Sequence, residues 1–322
     1  MIIELDKVDK RILFELERNA RMPDVKLAKL VGKSKDAVRY RTQRLEKEGV
    51  IVAWKTWIDM AKIGYRSSTI YLTLMNLPNK RKKLLAELKN DKRTYWIGVA
   101  EGVWNIGVTY FVKSTQELFE IKNGLLSRYS DLIIESKIAS LVSVSVHEKT
   151  FLAKQKSSLI TFTEGVENIK LDEISKNILR GLYFNSRENI ATLAERYKTT
   201  VDIIRSRIKK MEEQGVIIRY TTQIDYQKIG YGLYKSFIYL KSFNKKQFDE
   251  MLRYAEESDK IINIVKQIAP WDIEFIVFTK NFQDYNHVVN EFTEKFSKII
   301  KKIETSTMSE DIIFPCKTLV FD

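Results

Sequence analysis

The sequence predicts an α+β protein assembled from two copies of one module, and three observations predict it. First, Leu5 to Tyr65 aligns without a gap on Leu171 to Tyr231 at a constant offset of 166, with about two in five positions identical. A repeat of that period is far longer than a solenoid unit and has the size of a whole module. Second, each copy carries the apolar spacing of three helices followed by extended chain. Third, the residues after each copy alternate β-rich stretches and amphipathic helices in the order βαββαβ.

In the first copy, Asp6 is placed to cap a helix whose apolar positions are Val8, Ile12, Leu13 and Leu16. Pro23 and Asp24 open a shorter helix predicted to carry Val25, Leu27, Ala28 and Leu30 on one face. Gly32 ends it, as a residue tolerant of positive φ would. Ser34 is the next N-cap, and a third helix runs to about Lys47 before Gly49, with Val38 and Leu45 inward and Thr42 between them. Val50 to Ile58 reads as extended chain. Helix, short helix, tight turn, helix and strands make a winged helix-turn-helix pattern, expected over residues 1–63 and again over 170–230.

The third helix is the candidate reader. Lys35, Arg39, Tyr40, Gln43 and Arg44 are predicted to point away from the core, offering fork donors, an amide and an aromatic to base edges and phosphates. In the second copy Ile204, Ile208 and Met211 turn inward, while Thr200, Arg205, Ser206, Lys209 and Lys210 face out. The bland alternative is a solvated charged face, and the retention of polarity in both copies weighs against it. Arg41 and its equivalent Arg207 sit nearer the core edge, where a phosphate clamp and a brace for the fold are both open readings.

After Tyr65, Ser67 to Leu74 alternates as a strand, Lys80 to Asp91 reads as a helix, Thr94 to Ala100 and Trp104 to Val112 as two strands, Ser114 onward as a helix, and Leu132 to Val146 as a long strand. The second module repeats this with strands Leu233 to Ser242, Lys260 to Ile268 and Trp271 to Thr279, helices Lys245 to Glu257 and Phe282 to Ile299, and a last strand within Ile300 to Ile313. Trp104 is matched with Trp271, and Ile70-Tyr71-Leu72 with Ile238-Tyr239-Leu240. Ferredoxin-like domains are thus expected at 64–152 and 231–322, with a polar, Ser/Thr-rich linker at 153–169 and an apolar tail, Leu319-Val320-Phe321.

Composition supports an ordinary globular chain: 322 residues, 44% hydrophobic and 30% charged. No apolar run approaches the roughly 20 residues of a membrane span, and the N-terminus enters directly into the helical pattern, so neither membrane nor signal peptide is expected. A single cysteine, Cys316, excludes an intramolecular disulfide and fits a cytoplasmic location. The net charge of +13 is concentrated in residues 1–166, yet both helix-turn-helix copies are modestly basic, as a phosphate-facing surface requires. Residues 232–322 carry a slight acidic excess. Metal, phosphate-loop and nucleophilic chemistry have no motif: His147 and His287 are the two histidines, one per module, and no HExxH, CxxC or Gly-rich cradle occurs. No cofactor and no metal is expected.

The pattern resembles the DNA-binding domain of the Lrp/AsnC (feast/famine) transcription regulators. It is carried by Leu5-Asp6, Ile12-Leu13, Leu16, Arg21, Leu27-Ala28, Ser34, Val38, Arg41, Leu45-Glu46, Gly49-Val50-Ile51 and Gly64-Tyr65, and by their equivalents in the second copy. The resemblance implies duplex DNA as partner, self-association through RAM-type ferredoxin-like domains, and an amino-acid effector near the turn between the second and third strands of each such domain. The family's Gly and Asp pattern there is split: Gly102 and Asn105 stand in one copy, Asp272 in the other. Plain hairpin residues without a ligand are the alternative. The siroheme decarboxylases resemble the same family and give an enzymatic alternative; their histidine motif finds Tyr95-Trp96-Ile97-Gly98 and Ile262-Asn263-Ile264 here, with no histidine. A co-regulator whose helices no longer read bases is the third alternative.

Overall fold

The computed structural model describes residues 2–153, 159–163 and 167–313; Cys316 and the run Leu319 to Phe321 lie outside the described residues. In chain order the elements are α1 (Lys7–Arg18), α2 (Asp24–Val31), α3 (Lys35–Lys47), β1 (Ile51–Ile58), β2 (Arg66–Leu74), α4 (Pro78–Asn90), β3 (Thr94–Gly102), β4 (Ile106–Val112), α5 (Thr115–Arg128), β5 (Ile133–His147), α6 (Thr150–Ala153) and β6 (Leu159–Thr163). The second half follows as α7 (Glu173–Phe184), α8 (Ile190–Arg196), α9 (Val201–Glu213), β7 (Ile217–Ile224), β8 (Gly232–Leu240), α10 (Lys245–Glu257), β9 (Ile261–Ile268), β10 (Ile273–Thr279), α11 (Phe282–Lys295) and β11 (Ile300–Ile313).

The helix starts follow the capping chemistry. Asp6 accepts from the Asp9 amide and Asp9 returns a bond to the Asp6 amide, a reciprocal cap on α1. Ser34 and Thr200 cap α3 and α9 through the amides of Ala37 and Ile203. Gly32 ends α2 at φ 65°, the left-handed conformation. On α2, Leu27 and Ala28 are buried but Val25 and Leu30 are 51% and 43% exposed. In so short a helix those two fall on either flank of the stripe centred on Leu27, Ala28 and Val31, so the predicted four-residue face narrows to its middle.

Each module supplies a four-stranded antiparallel sheet, β5-β2-β4-β3 and β11-β8-β10-β9. The sheets join edge to edge twice, β3 to β11 and β9 to β5, so that eight strands close a ring. Long β5 and β11 make this possible: the first half of each pairs within its own sheet and the second half with the other module's. The outer faces pack under α4 and α5 in one half and α10 and α11 in the other, forming separate cores around Ile70, Leu72 and Ile97 and around Ile238, Ile264 and Phe275. The inner faces meet in a third core with Tyr71, Trp104, Phe237 and Trp271. Burying each such aromatic side chain contributes on the order of 2–3 kcal/mol.

Two predicted details change. Leu72 pairs with Ile106 and Ile238 with Ile273, so the equivalent of Tyr71 is Phe237 and not Tyr239. The offset of the repeat persists through β2 and β8 and grows by one residue by the following strands, where weak identity had hidden it. Within the stretch 153–169, expected to be linker, Leu159–Thr163 forms β6 and pairs with Ser143–His147 of β5. Its Thr and Phe alternate as a half-exposed edge strand would, despite the polar surroundings.

Candidate nucleic-acid interface and interior cavity

The two helix-turn-helix units are bound by a two-stranded ribbon, β1 against β7, from Ile51↔Ile224 to Ile58↔Ile217. A pseudo-twofold axis crosses it. Arg21 donates to the Ser186 carbonyl at 2.8 Å, and its equivalent Arg187 donates to the Ala20 carbonyl at 2.7 Å. Arg187 lies 3.7 Å over the Trp54 ring and Arg21 5.2 Å over Tyr220, the same pair with the halves exchanged. Burial against this ribbon lowers the affinity of Arg187 for its proton, with Asp24 and Glu46 opposing the effect. The Asp59 amide donates to Val216 O and the Asp225 amide to Val50 O. This reciprocity fixes α3 and α9 in a mutually symmetric arrangement.

On α3, Lys35, Arg39, Tyr40 and Gln43 are exposed, Tyr40 at 69%. On α9, Thr200, Arg205, Ser206, Lys209 and Lys210 are exposed. Arg39 contacts Asp24 at 3.3 Å, Arg205 contacts Asp202 at 3.2 Å and Lys209 contacts Glu213 at 3.7 Å. Surface pairs of this kind are worth about 0–1 kcal/mol and yield readily to a phosphate. Ser34 and Thr200 spend their hydroxyls as caps.

Arg44 does not point outward as predicted. It is half-buried, with Nη2 2.6 Å from the carboxylate of Asp9, which is 1% exposed. Arg41 joins it, at 2.8 Å from Asp9 and 2.7 Å from Asp6. The backbone amide of Asp9 and the Arg41 guanidinium hold the Asp6 carboxyl below the usual carboxylate range. A buried carboxylate must be paired, and Asp9 recruits both arginines to α1. In the second copy Ser175 replaces Asp9 and Lys210 replaces Arg44, so that position is free to face solvent. Arg207 there contacts Asp172 at 2.8 Å. The geometry thus engages Arg41 and Arg207 in bracing their first helices.

The three candidate effector residues are hairpin residues in opposite halves. Asn105 accepts from the Leu74 amide at 2.8 Å, and Asp272 from the Leu240 amide at 2.8 Å, pinning each β-hairpin to its neighbouring strand. Gly102, at φ 126°, pairs with Ser306 at the β3–β11 join. A Cβ there would lie 2.4 Å from Thr305 O, so the close approach of the two halves demands glycine.

Sequence reading missed a cavity of about 380 Å3 inside the closed sheet, lined from both modules and from β1. At its base Lys235 and Glu274 meet at 2.6 Å, Tyr71 donates to Glu274 at 2.9 Å, and Trp96 donates to Asp311 at 2.6 Å. Burial and the Glu274 charge raise the Tyr71 hydroxyl well above its usual range. Lys55 of β1 lines the cavity, and burial brings its ammonium down to about 7 against the opposing pull of Asp311. The signal was a lone charge in mid-strand: Lys235 within GLYKSFIYL and Glu274 within IEFIVFT.

Compared with known proteins, residues 5–46 match the AsnC-type helix-turn-helix domain. An uncharacterised HTH-type transcriptional regulator of Pyrococcus abyssi is 33% identical over 119 residues, 37% of this chain and 80% of that protein. The HTH-type transcriptional regulator LrpA of the same organism is 31% identical over 117 residues, 36% of this chain and 82% of LrpA. The siroheme decarboxylase NirDL is similar in fold over 95% of this chain and 92% of its own, with a TM-score of 0.65 and 13% identity, a likeness of fold alone. The two regulators fill little more than a third of the chain while most of each is matched, as a duplicated module requires. The chain therefore belongs to the Lrp/AsnC family of helix-turn-helix, DNA-binding transcription regulators, in a tandem, duplicated form.

Proposed function

We propose that α3 and α9 together read one duplex site, with Lys35, Arg39, Tyr40 and Gln43 on one side and Arg205, Ser206, Lys209 and Lys210 on the other. The observation that carries this is the reciprocal ribbon, which holds two exposed, basic helices in one chain under a pseudo-twofold axis. Exposed arginines and an amide at a helix surface suit major-groove edges and phosphates. Arg39→Ala and Arg205→Ala should each weaken binding to a selected duplex by about 1–3 kcal/mol if they meet bases, measured by fluorescence anisotropy at fixed salt. Affinities unchanged in the double variant would place the interface elsewhere.

The same geometry bears on the finer partners. Both edges of each four-stranded sheet are taken by the other half of the chain, so self-association would use helical or loop surfaces or the outer edge of β6. An amino-acid effector at Gly102, Asn105 and Asp272 would have to share hairpin groups already bonded to Leu74 and Leu240. A second reading, siroheme decarboxylation, is favoured by the fold likeness that spans both modules. Against it, no histidine lines the interior cavity among the described residues. A shift in the siroheme absorption spectrum on mixing would favour that reading.

A further inference from the structure

The cavity has two walls of different kinds. The second module's wall is polar: Lys235 and Glu274 form an ion pair at 2.6 Å, and Gln267 donates its amide to Glu274 at 2.8 Å. Asn263 lies on the same wall, and among the described residues its amide has no hydrogen-bond partner. The first module's wall is small and aromatic. Strand registers make Thr69, Trp96, Ala100 and Gly107 the equivalents of Lys235, Asn263, Gln267 and Glu274. The Trp96 indole lies against Gly98 and Gly107, where a Cβ would come within 2.4 Å and 2.8 Å of its ring. Lys235 Nζ sits 4.3 Å from the indole centroid and joins the two walls at the base. Elsewhere on the lining, Tyr95 and Phe111 pack at 4.6 Å and Trp57 and Phe162 at 5.3 Å.

The charges of the lining are matched within the chain. Lys235 answers Glu274, Lys149 answers Glu17 at 2.7 Å, and Asp311 accepts from Trp96 and faces Lys55. Asp59 accepts from the Ala61 amide at 3.0 Å beside Lys62. A guest with a net charge would leave water for a site in which no charge awaits it, at a large desolvation cost. A neutral guest with donors and acceptors on its rim would meet the Asn263 amide and the Gln267 amide oxygen, which accepts no bond among the described residues. At about 380 Å3 the space lies at the small end of ligand pockets.

The geometry points to this cavity as a binding site for a neutral nitrogen heterocycle of one or two rings, of nucleobase type, enclosed among aromatic side chains and read at its rim by Asn263 and Gln267. This goes beyond DNA reading, and its test uses no DNA. Titration calorimetry of the full chain with adenine, hypoxanthine and uracil should give saturable one-to-one binding of at least one base. Benzoate and cyclohexylamine, which carry one charge each, should give none. Asn263→Leu and Gln267→Met should each weaken the bound base at least tenfold; if one variant fails to fold, the other decides. The inference is overturned if none of the three bases gives heat at millimolar concentration, if benzoate or cyclohexylamine binds as tightly as a base, or if the affinity survives in the folded variants.

Discussion

At the scale of single residues the two copies solve the same problems with unequal success. The turn before the recognition helix needs a left-handed residue. The first copy supplies Gly32 at φ 65°, the second Lys198 at φ 51°. A side chain with a Cβ carries a penalty of roughly 1–2 kcal/mol there, and glycine gives back part of it as unfolded-state entropy. Lys198→Gly should therefore stabilise the chain by about 0.5–1 kcal/mol in urea denaturation, and a loss of stability would show that Lys198 is relaxed. The caps at Asp6, Ser34 and Thr200 were legible because capping is local. The inward turn of Arg44 was not. It depends on Asp9 being buried from the side, a fact of tertiary packing that a helical wheel does not contain.

At the scale of elements, β1 is the joint between the readers and the closed sheet. It pairs with β7, receives α7 through the bond from Thr56 to Leu182 O at 2.7 Å, and lends Lys55 to the cavity wall. Folding brings the Lys55 ammonium from its ordinary range near 10.4 down to about 7. Between those two values the unfolded chain binds the extra proton and the folded chain does not, so this residue makes stability rise with pH across that window. The slope is at most about 1.4 kcal/mol per pH unit. Urea midpoints at pH 7, 8 and 9 should climb in the wild type relative to Lys55→Met; parallel midpoints would place the ammonium in water. The strands and helices of both ferredoxin-like halves were legible from alternation and spacing, except β6, whose polar neighbours masked five residues of edge strand.

At the scale of the whole molecule, duplication explains both what the sequence revealed and what it withheld. The repeat announced two modules, but pairing between them rests on contacts up to about two hundred residues apart, such as Gly102 with Ser306, which no local pattern encodes. Covalent linkage also lets the readers differ, with Tyr40 and Gln43 facing Ser206 and Lys209 at equivalent places. Selection from random duplexes should accordingly return asymmetric sites, with unlike half-sites about one helical turn, ~34 Å, or a multiple apart. A set of strictly palindromic winners would contradict this.

The strand that seals the ring, β11, is also the last element before the chain's described end. A ribosome therefore releases the outer edge of β3 some two hundred residues before its mate exists. For that interval the nascent polypeptide presents an open ladder of amides and carbonyls, the kind of edge that recruits foreign strands. Birth order thus makes the first half dependent on the second for its protection, and truncated products of translation inherit an adhesive flank.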